Sequence, residues 1–441
     1  MHNGDLSFFP LQQSFPGALP HPVFIMTSLG PIFADDLARV KPGDRLRLTI
    51  SAQTSDAAAL AQAALEARAR GERVLVVCAD PADVPRLAQE MPWFEPKLDV
   101  RPLPDWETLP YDVLSPQEEL VSERLEALYR LTAPTGGADV LLTSAVTASQ
   151  RLSPVSYIGA NTFFFHQGEQ ISLTTLQKRL AAAGYTNVKQ VLAAGEFAVR
   201  GSIVDVFPMG SERPFRLDFF DDEIESIRWF DVDTQRSMES AEEIRLLPGH
   251  EFPVDPEALL AFRQRWRREF AGDPKKSIVY CDIEKEILPP GIEYYLPLFF
   301  DETAALTDYL PPNARVFLLG DIEAALQAFG RDMASRYKVL AADPQRPALA
   351  PERIWLKPEE FFKSLANFAR FTVEKKENAE DLKRLSGIEV DRKSQNPVGK
   401  LLERTRESAM KGVRTLIAAP SAGRMETMSQ LLRTGGLSVE E

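Results

Sequence analysis

Two arginines and a phenylalanine offer the best-defined binding chemistry in the sequence. In PFRLDFF, residues 214–220, the alternation of a strand puts Arg216 and Phe220 on one face, opposite an apolar face. In FAVRGSIVDVF, residues 197–207, Arg200 points away from the apolar residues, among which we place Ile203. Arginine makes forked hydrogen bonds and a ring brings rigid area, so both residue types are enriched at protein interfaces.

A solvated sheet face is the alternative interpretation. Both arginines would pair with Asp205, Asp218 or Asp221, and a neighbouring helix would cover half of the Phe220 ring. On these residues alone, the solvated face is the favoured interpretation.

Cysteine and histidine add little further chemistry. Cys78 and Cys281 lie in apolar runs typical of buried strands, which predicts a packing role and fits a reducing cytoplasm. The four histidines lack the spacing of metal ligands. We therefore expect no metal, no bound cofactor and a cytoplasmic location.

Charge and hydropathy restrict the partners. The formal net charge of -13 opposes nonspecific attraction to nucleic acid. No apolar run approaches the roughly 20 residues that a membrane helix needs, so we expect no membrane partner.

Two segments could nevertheless contact DNA. The rings of Trp106 and Tyr111, in a proline-bounded loop, could stack on bases. We interpret this loop as a buried bracket that packs the sheet edge against the next helix. That helix carries glutamates predicted to mark its solvated face: Glu118, Glu119, Glu123 and Glu126. The second segment, residues 259–270, contains Arg263, Arg265, Arg267 and Arg268, and we interpret it as a solvated helix face flanked by acidic residues.

The elements that must position these residues alternate helices with near-continuous apolar strands, which predicts a parallel sheet covered on both faces. Residues 161–247 instead predict a small α+β domain with an antiparallel meander. The predicted order is a disordered tail at 1–34, an α/β domain at 35–160 and 248–373 with the α+β domain inserted at 161–247, a charged linker at 374–396, and the incomplete start of a third domain at 397–441.

Several long motifs, in order, resemble UvrB and, more closely, the transcription-repair coupling factors (the Mfd family). They are LPDWETLPYD at residues 103–112, the block at 195–237, LPPGIEYYLPLFF at 288–300 and LTDYLPPNARVFLLGD at 306–321. The resemblance implies a discontinuous, degenerate P-loop (RecA-like) parallel-sheet domain with an inserted domain. It also implies that Arg200, Arg216 and Phe220 bind UvrA, so with the resemblance the docking face becomes the favoured interpretation.

The resemblance places a nucleotide slot at Ser51–Ala59, where Thr54, Ser55 and Asp56 stand. A P-loop needs glycines and a lysine around the phosphates, and SAQTSDAAA has neither. Asp321 matches the magnesium-holding acid, but Ile322 follows it where a second acid should polarise water. We therefore expect no ATP hydrolysis by this chain.

The family implies an ATP-driven DNA translocase whose motor and RNA polymerase-binding parts lie beyond residue 441, so the chain is expected to be a truncated module. It would recruit UvrA to stalled transcription complexes, with DNA and RNA polymerase contacted through those other parts. The alternatives are a UvrB-type helicase of the excinuclease complex and a DNA-binding module.

Overall fold

The computed structural model describes residues 7–11, 37, 39–51, 55–133, 137–376, 398–411, 415–419, 422–437 and 439. The chain forms two compact units, Met1–Ile32 with Glu380–Glu441, and Phe33–Ala379. Thr54 and most of the predicted linker, residues 377–396, lie outside the described residues.

The smaller unit contains a two-stranded antiparallel sheet of β1 (Ser7–Leu11) and β16 (Thr415–Ala419). Two helices accompany it, α12 (Gly399–Met410) and α13 (Ala422–Thr434). Their packed residues are Val398, Leu402, Leu432 and Leu437. The expectation of a disordered tail over residues 1–34 is wrong at Ser7–Leu11, because this apolar stretch pairs with a strand about 400 residues away that no local pattern reveals.

The larger unit is built on a six-stranded parallel sheet. Its strands are β2 (Arg45–Ser51), β3 (Val74–Cys78), β4 (Val100–Pro102), β5 (Val140–Ser144), β14 (Arg315–Leu319) and β15 (Ala369–Lys376). They lie in the order β2-β15-β14-β3-β5-β4, and each pair is parallel. The late strands β14 and β15 fit between the early strands β2 and β3, so this domain is discontinuous in sequence as predicted. All five residues of β3, β5 and β14 are buried, as expected for strands covered on both faces.

Helices cover this sheet and fill the rest of the domain. They are α1 (Ser55–Ala69), α2 (Asp83–Phe94), α3 (Glu118–Thr132), α4 (Ala145–Ser149), α5 (Val155–Ala160), α7 (Pro256–Glu269), α8 (Ile278–Glu284), α9 (Ile322–Leu340), α10 (Pro351–Ile354) and α11 (Pro358–Ser364). Cys281 lies in α8 and is partly exposed, so its predicted buried strand is wrong. Ser277 caps that helix through a bond from the Tyr280 N–H, and the apolar residues follow helical spacing. Cys78 is buried in β3, as predicted.

The inserted domain forms a six-stranded sheet in the order β12-β11-β10-β9-β8-β7. The strands are β7 (Thr186–Asn187), β8 (Glu196–Arg200), β9 (Ile203–Val206), β10 (Phe215–Phe220), β11 (Glu223–Phe230) and β12 (Ser237–Ala241). Helix α6 (Leu173–Ala182) and a two-stranded sheet of β6 (Phe163–His166) and β13 (Glu243–Leu246) complete it. The predicted antiparallel meander is confirmed for β8 to β12. One hydrophobic core runs from the parallel sheet into this sheet.

A buried ion pair joins the segments on either side of the insertion. Arg124, 0% exposed, donates from Nε to Glu251 Oε1 at 2.5 Å and from Nη1 to the Pro104 carbonyl at 2.7 Å. Trp106 is buried and its Nε1 donates to the same Glu251 oxygen at 3.1 Å. The loop is therefore the buried bracket that the sequence predicts, and Trp106 is not available to stack on bases.

Tyr111 has the same bracketing role. Its hydroxyl donates to the Leu349 carbonyl at 2.9 Å, and burial raises the pKa of the Tyr111 phenol above its ordinary value. The prediction that Glu126 marks the solvated face of α3 is wrong. Glu126 is buried and accepts hydrogen bonds from Arg130 and Arg245, the second of which comes from the inserted domain.

Replacing Arg124 by methionine leaves the Glu251 carboxylate buried without its counter-ion. We expect Arg124→Met to lower the free energy of unfolding by about 3–5 kcal/mol. Urea unfolding measures this loss. Arg336→Met, which removes an exposed i,i+4 pair with Asp332, is the control and should cost less than about 1 kcal/mol. Equal losses in the two variants would contradict the role of the buried pair.

Candidate functional site

The outer face of the inserted sheet brings two of the predicted site residues onto one carboxylate. Asp205 lies directly opposite Arg216 in the β9–β10 ladder and is 0% exposed. Arg216 donates from Nε to Asp205 Oδ1 at 2.7 Å and from Nη2 to Oδ2 at 3.0 Å. Arg200 reaches the same carboxylate from β8 through Nη2. Asp205 therefore fixes both guanidinium groups on one side of the sheet.

Arg200 and Arg216 differ in how much of each side chain is exposed to solvent. Arg216 also donates to the Gln235 carbonyl at 3.2 Å and to Ser237 Oγ at 3.1 Å, and its side chain is only 14% exposed. Its hydrogen bond to Asp205 raises the pKa of the Arg216 guanidinium. The Arg200 side chain is 47% exposed. Arg200 can thus meet a partner directly, whereas Arg216 mainly organises the face.

Phe220 ends β10 on the same face as Arg216, since residues alternate along this strand between buried and accessible. Its ring is 69% exposed, so a neighbouring helix does not cover half of it. The chain turns directly after it, with Asp221 at a φ of 51° and Phe220 paired to Glu223. A tight hairpin therefore holds an apolar ring in solvent at a fixed place.

The ion pairs agree in part with the alternative interpretation of a solvated sheet face. Both arginines pair with Asp205, as that alternative requires, but Asp218 accepts a hydrogen bond from Ser226. The prediction that Ile203 points away from Arg200 is wrong, because the two residues are direct partners in the ladder. They flank a two-residue hairpin loop, and residues that flank such a loop face each other on one side of the sheet.

The proposed nucleotide slot already contains a carboxylate. Asp56, in the first turn of α1, is 1% exposed, and its Oδ2 lies 2.6 Å from Arg86 Nη2. Burial alone would lower the pKa of Arg86, but the hydrogen bonds that Arg86 donates to Asp56 and Asp83 raise it. Ser55 begins α1. Asp321 caps α9 by accepting the Ala324 N–H at 2.9 Å.

Arg86 and Asp205 are the functional residues that sequence reasoning undervalued. Asp205 entered only as a partner in the solvated-face alternative, and Arg86 was not considered. Arg86 follows Asp83 by three residues and precedes Glu90 by four, and both acids pair with it. That local charge pattern marks a helix surface, but it does not reveal the third partner, Asp56.

Three of the four arginines predicted to matter on helix α7 bond to groups of the chain, whereas Arg268 is exposed. Arg265 lies 2.6 Å from Asp301, Arg263 lies 3.7 Å from Glu284, and Arg267 donates to the Tyr280 hydroxyl at 2.5 Å. This agrees with a solvated helix face flanked by acidic residues. In the part of the chain that the structure describes, no group of ligating side chains could hold a metal ion, and no helix is long and apolar enough to cross a membrane.

The fold and the inserted sheet, whose face carries Arg200, Arg216 and Phe220, indicate the class of protein. The family model described as the UvrB interaction domain matches residues 163–252, which include the whole inserted six-stranded sheet. The parallel-sheet domain around it has the α/β architecture of RecA-like and UvrB-like proteins. The chain is thus a UvrB-like α/β protein that contains a UvrB interaction domain.

The relatives specify the class further. The chain is 42% identical over 298 residues to the transcription-repair-coupling factor of Escherichia coli, a match that covers 67% of this chain and 26% of that protein. It is 40% identical over 344 residues to the Haemophilus influenzae factor, covering 76% of this chain and 29% of that protein. The chain is 32% identical over 216 residues to the Bacillus subtilis factor, a match that covers 45% of this chain and 18% of that protein. The chain is similar to a UvrB-like region of the transcription-repair-coupling factors, and it spans between a quarter and a third of the first two relatives.

Two adjacent phenylalanines of β10, Phe219 and Phe220, should differ strongly in their contribution to the stability of the fold. Phe220→Ala should change the free energy of unfolding by less than about 0.5 kcal/mol, because the ring is already in solvent. Phe219→Ala, at a position only 6% exposed, should cost about 3–5 kcal/mol. Chemical denaturation of both variants measures the difference. A large loss in Phe220→Ala would show that its ring packs against the protein.

Proposed function

We propose that this chain is a recruiting module that binds UvrA through the outer face of the inserted sheet. Arg200 and Phe220 supply the contacts, and Arg216 positions Arg200 through the Asp205 carboxylate that both arginines share. Coupling of transcription to repair, which the relatives' names state for those proteins, is the proposed context, with cytoplasmic location as part of it. A translocase motor and contacts to RNA polymerase and DNA are proposed for other parts of a longer protein.

The exposure of Phe220 supports this proposal most directly. A ring that is 69% exposed gains little from folding, so a partner that covers it offers the missing apolar burial. Arg200 stands on the same face with a half-exposed guanidinium, held in place by Asp205. Arginine and aromatic side chains fixed before binding lose little conformational entropy when the partner arrives.

Binding to purified UvrA tests the proposal. Arg200→Ala and Phe220→Ala should each weaken binding by about 1–3 kcal/mol, the usual cost of truncating a hot-spot residue. Arg216→Ala should weaken it by a similar amount while also loosening the face around Asp205. Isothermal titration calorimetry gives the affinities, and circular dichroism gives the folded state.

Two exposed residues of α9 serve as matched controls, Arg331→Ala for the arginines and Val339→Ala for the exposed ring. Both should retain the original UvrA affinity. Wild-type affinity in a variant that combines Arg200→Ala, Arg216→Ala and Phe220→Ala would refute the proposed face.

We further propose that the chain does not hydrolyse ATP. The Asp56 carboxylate stands at the start of α1, where a phosphate would need the positive end of the helix, and like charges repel. Asp321, the matching magnesium acid, is engaged as a helix cap.

Phosphate release by purified chain should therefore stay at the buffer rate at millimolar ATP and magnesium. The Asp321→Ala variant provides the internal comparison, since a vestigial slot predicts no change from this substitution. Turnover that Asp321→Ala abolishes would instead support a UvrB-type helicase.

A further inference from the structure

A second surface lies on the other side of the inserted domain. An open cleft of about 700 Å³ separates helix α3 from the inserted sheet. Phe215 and Trp229 line it, with their ring centroids 3.8 Å apart. They are partners in the β10–β11 ladder and lie on the opposite face from Arg216. The cleft is therefore separate from the proposed UvrA-binding face.

One wall of the cleft is acidic. Glu119 and Glu123 lie four residues apart on α3, line the cleft and are exposed. In the described ranges no cation pairs with either of them. Burial, and then the nearby Glu107 carboxylate, raise the pKa of the Glu123 carboxyl. The pKa of the Glu118 carboxyl is raised by burial and then by Glu196 and Glu119. Glu123 thus lies near the like charge of Glu107, and Glu118 lies near those of Glu196 and Glu119.

The far end of the cleft does not supply that counter-charge. Arg130 and Arg245 both bond to Glu126, and the Arg245 guanidinium stacks over Tyr129 at 4.4 Å. Arg101 also lines the cleft and pairs with Asp99 at 2.6 Å, so all three arginines of the cleft are engaged with groups of the chain. The carboxylates that line the cleft without a cation partner in the described ranges are Glu119 and Glu123 on α3 and Glu212 in the loop before β10.

An apolar contact faces this acidic wall. Leu192 lines the cleft with 57% of its surface exposed. Its backbone is held in place, because the N–H groups of Leu192 and Ala193 both donate to Glu196 Oε2, at 2.7 and 2.9 Å. A leucine with a fixed backbone therefore offers an apolar surface in the same cleft as Trp229 and the carboxylates.

We propose that this cleft binds a basic peptide segment of a partner protein. Lysine or arginine side chains pair with Glu119 and Glu123, and an apolar side chain rests on Leu192 and Trp229. Opposite charge across an interface sets the choice and orientation of a partner. The volume lies within the roughly 300–1,000 Å³ of ordinary binding clefts, enough for several side chains.

Fluorescence anisotropy with two labelled eight-residue peptides tests the proposal. One peptide alternates arginine and leucine, and the other alternates glutamate and leucine. At about 0.15 M salt, where exposed charges more than about 8 Å apart are screened, the chain should bind the arginine peptide. Glu119→Lys with Glu123→Lys should weaken that binding about tenfold or more, the order expected from losing and reversing two partly exposed ion pairs, and should favour the glutamate peptide.

The control is Glu302→Lys with Glu359→Lys, which changes the net charge equally at exposed sites away from the cleft. Glu359, like Glu119, lies in the first turn of a helix, so the helix-dipole effect is matched. Retained arginine-peptide binding in the control and loss in the cleft variant support the proposal. Equal loss in both variants, or no binding by the original chain, overturns it.

Two further measurements identify the occupant and separate the two surfaces. Sedimentation that shows a dimer abolished by the cleft substitutions would overturn the proposal, because the occupant would then be a second copy of this chain. UvrA binding by the cleft variant should remain unchanged. Loss of UvrA binding there would instead place the cleft within the first interface and overturn its independent role.

Discussion

The architecture depends on one buried carboxylate. Glu251 follows the inserted domain in sequence, whereas its two donors, Arg124 and Trp106, precede it. An unpaired charge inside a protein costs several kcal/mol, so the fold is favourable only when these segments meet. A fully bonded polar group in an apolar surrounding also has one preferred geometry. The segment that leaves the insertion is thereby joined to helix α3 and to the loop that precedes this helix.

The same arrangement recurs wherever an acid is buried. In the described part of the chain the buried acidic residues are Asp56, Glu126, Asp205 and Glu251. Each bonds to at least one arginine from a different element. The planar guanidinium can serve both carboxylate oxygens, and it remains charged in such sites. These pairs join helix to helix, domain to insertion and strand to strand, so they set the positions of the surfaces that partners can reach.

Sequence periodicity was sufficient where a contact is local. Strand alternation placed Arg216 and Phe220 on one face, and the proline-bounded loop with Trp106 was correctly interpreted as a bracket. Periodicity failed where a turn or a distant partner determines the direction or the burial of a side chain. Ile203 was misplaced because a two-residue hairpin interrupts the alternation, and Glu126 because its partner Arg245 lies 119 residues away. A polar residue on a predicted helix surface cannot show from sequence which distant cation will bury it.

The Asp56–Arg86 pair also affects how the scaffold is stabilised. A bound nucleotide stabilises a folded state only as far as its concentration exceeds its dissociation constant. The Asp56 carboxylate lies in the first turn of α1 without any ligand, and its Oδ1 accepts the Ala57 N–H at 3.0 Å. Under the proposal that the slot takes no nucleotide, there are no bound and unbound states between which a nucleotide would shift the population. For a protein whose proposed task is to present Arg200 and Phe220 in one arrangement, a slot closed by the Asp56–Arg86 pair is consistent with that task, because the proposed docking geometry then does not depend on a ligand.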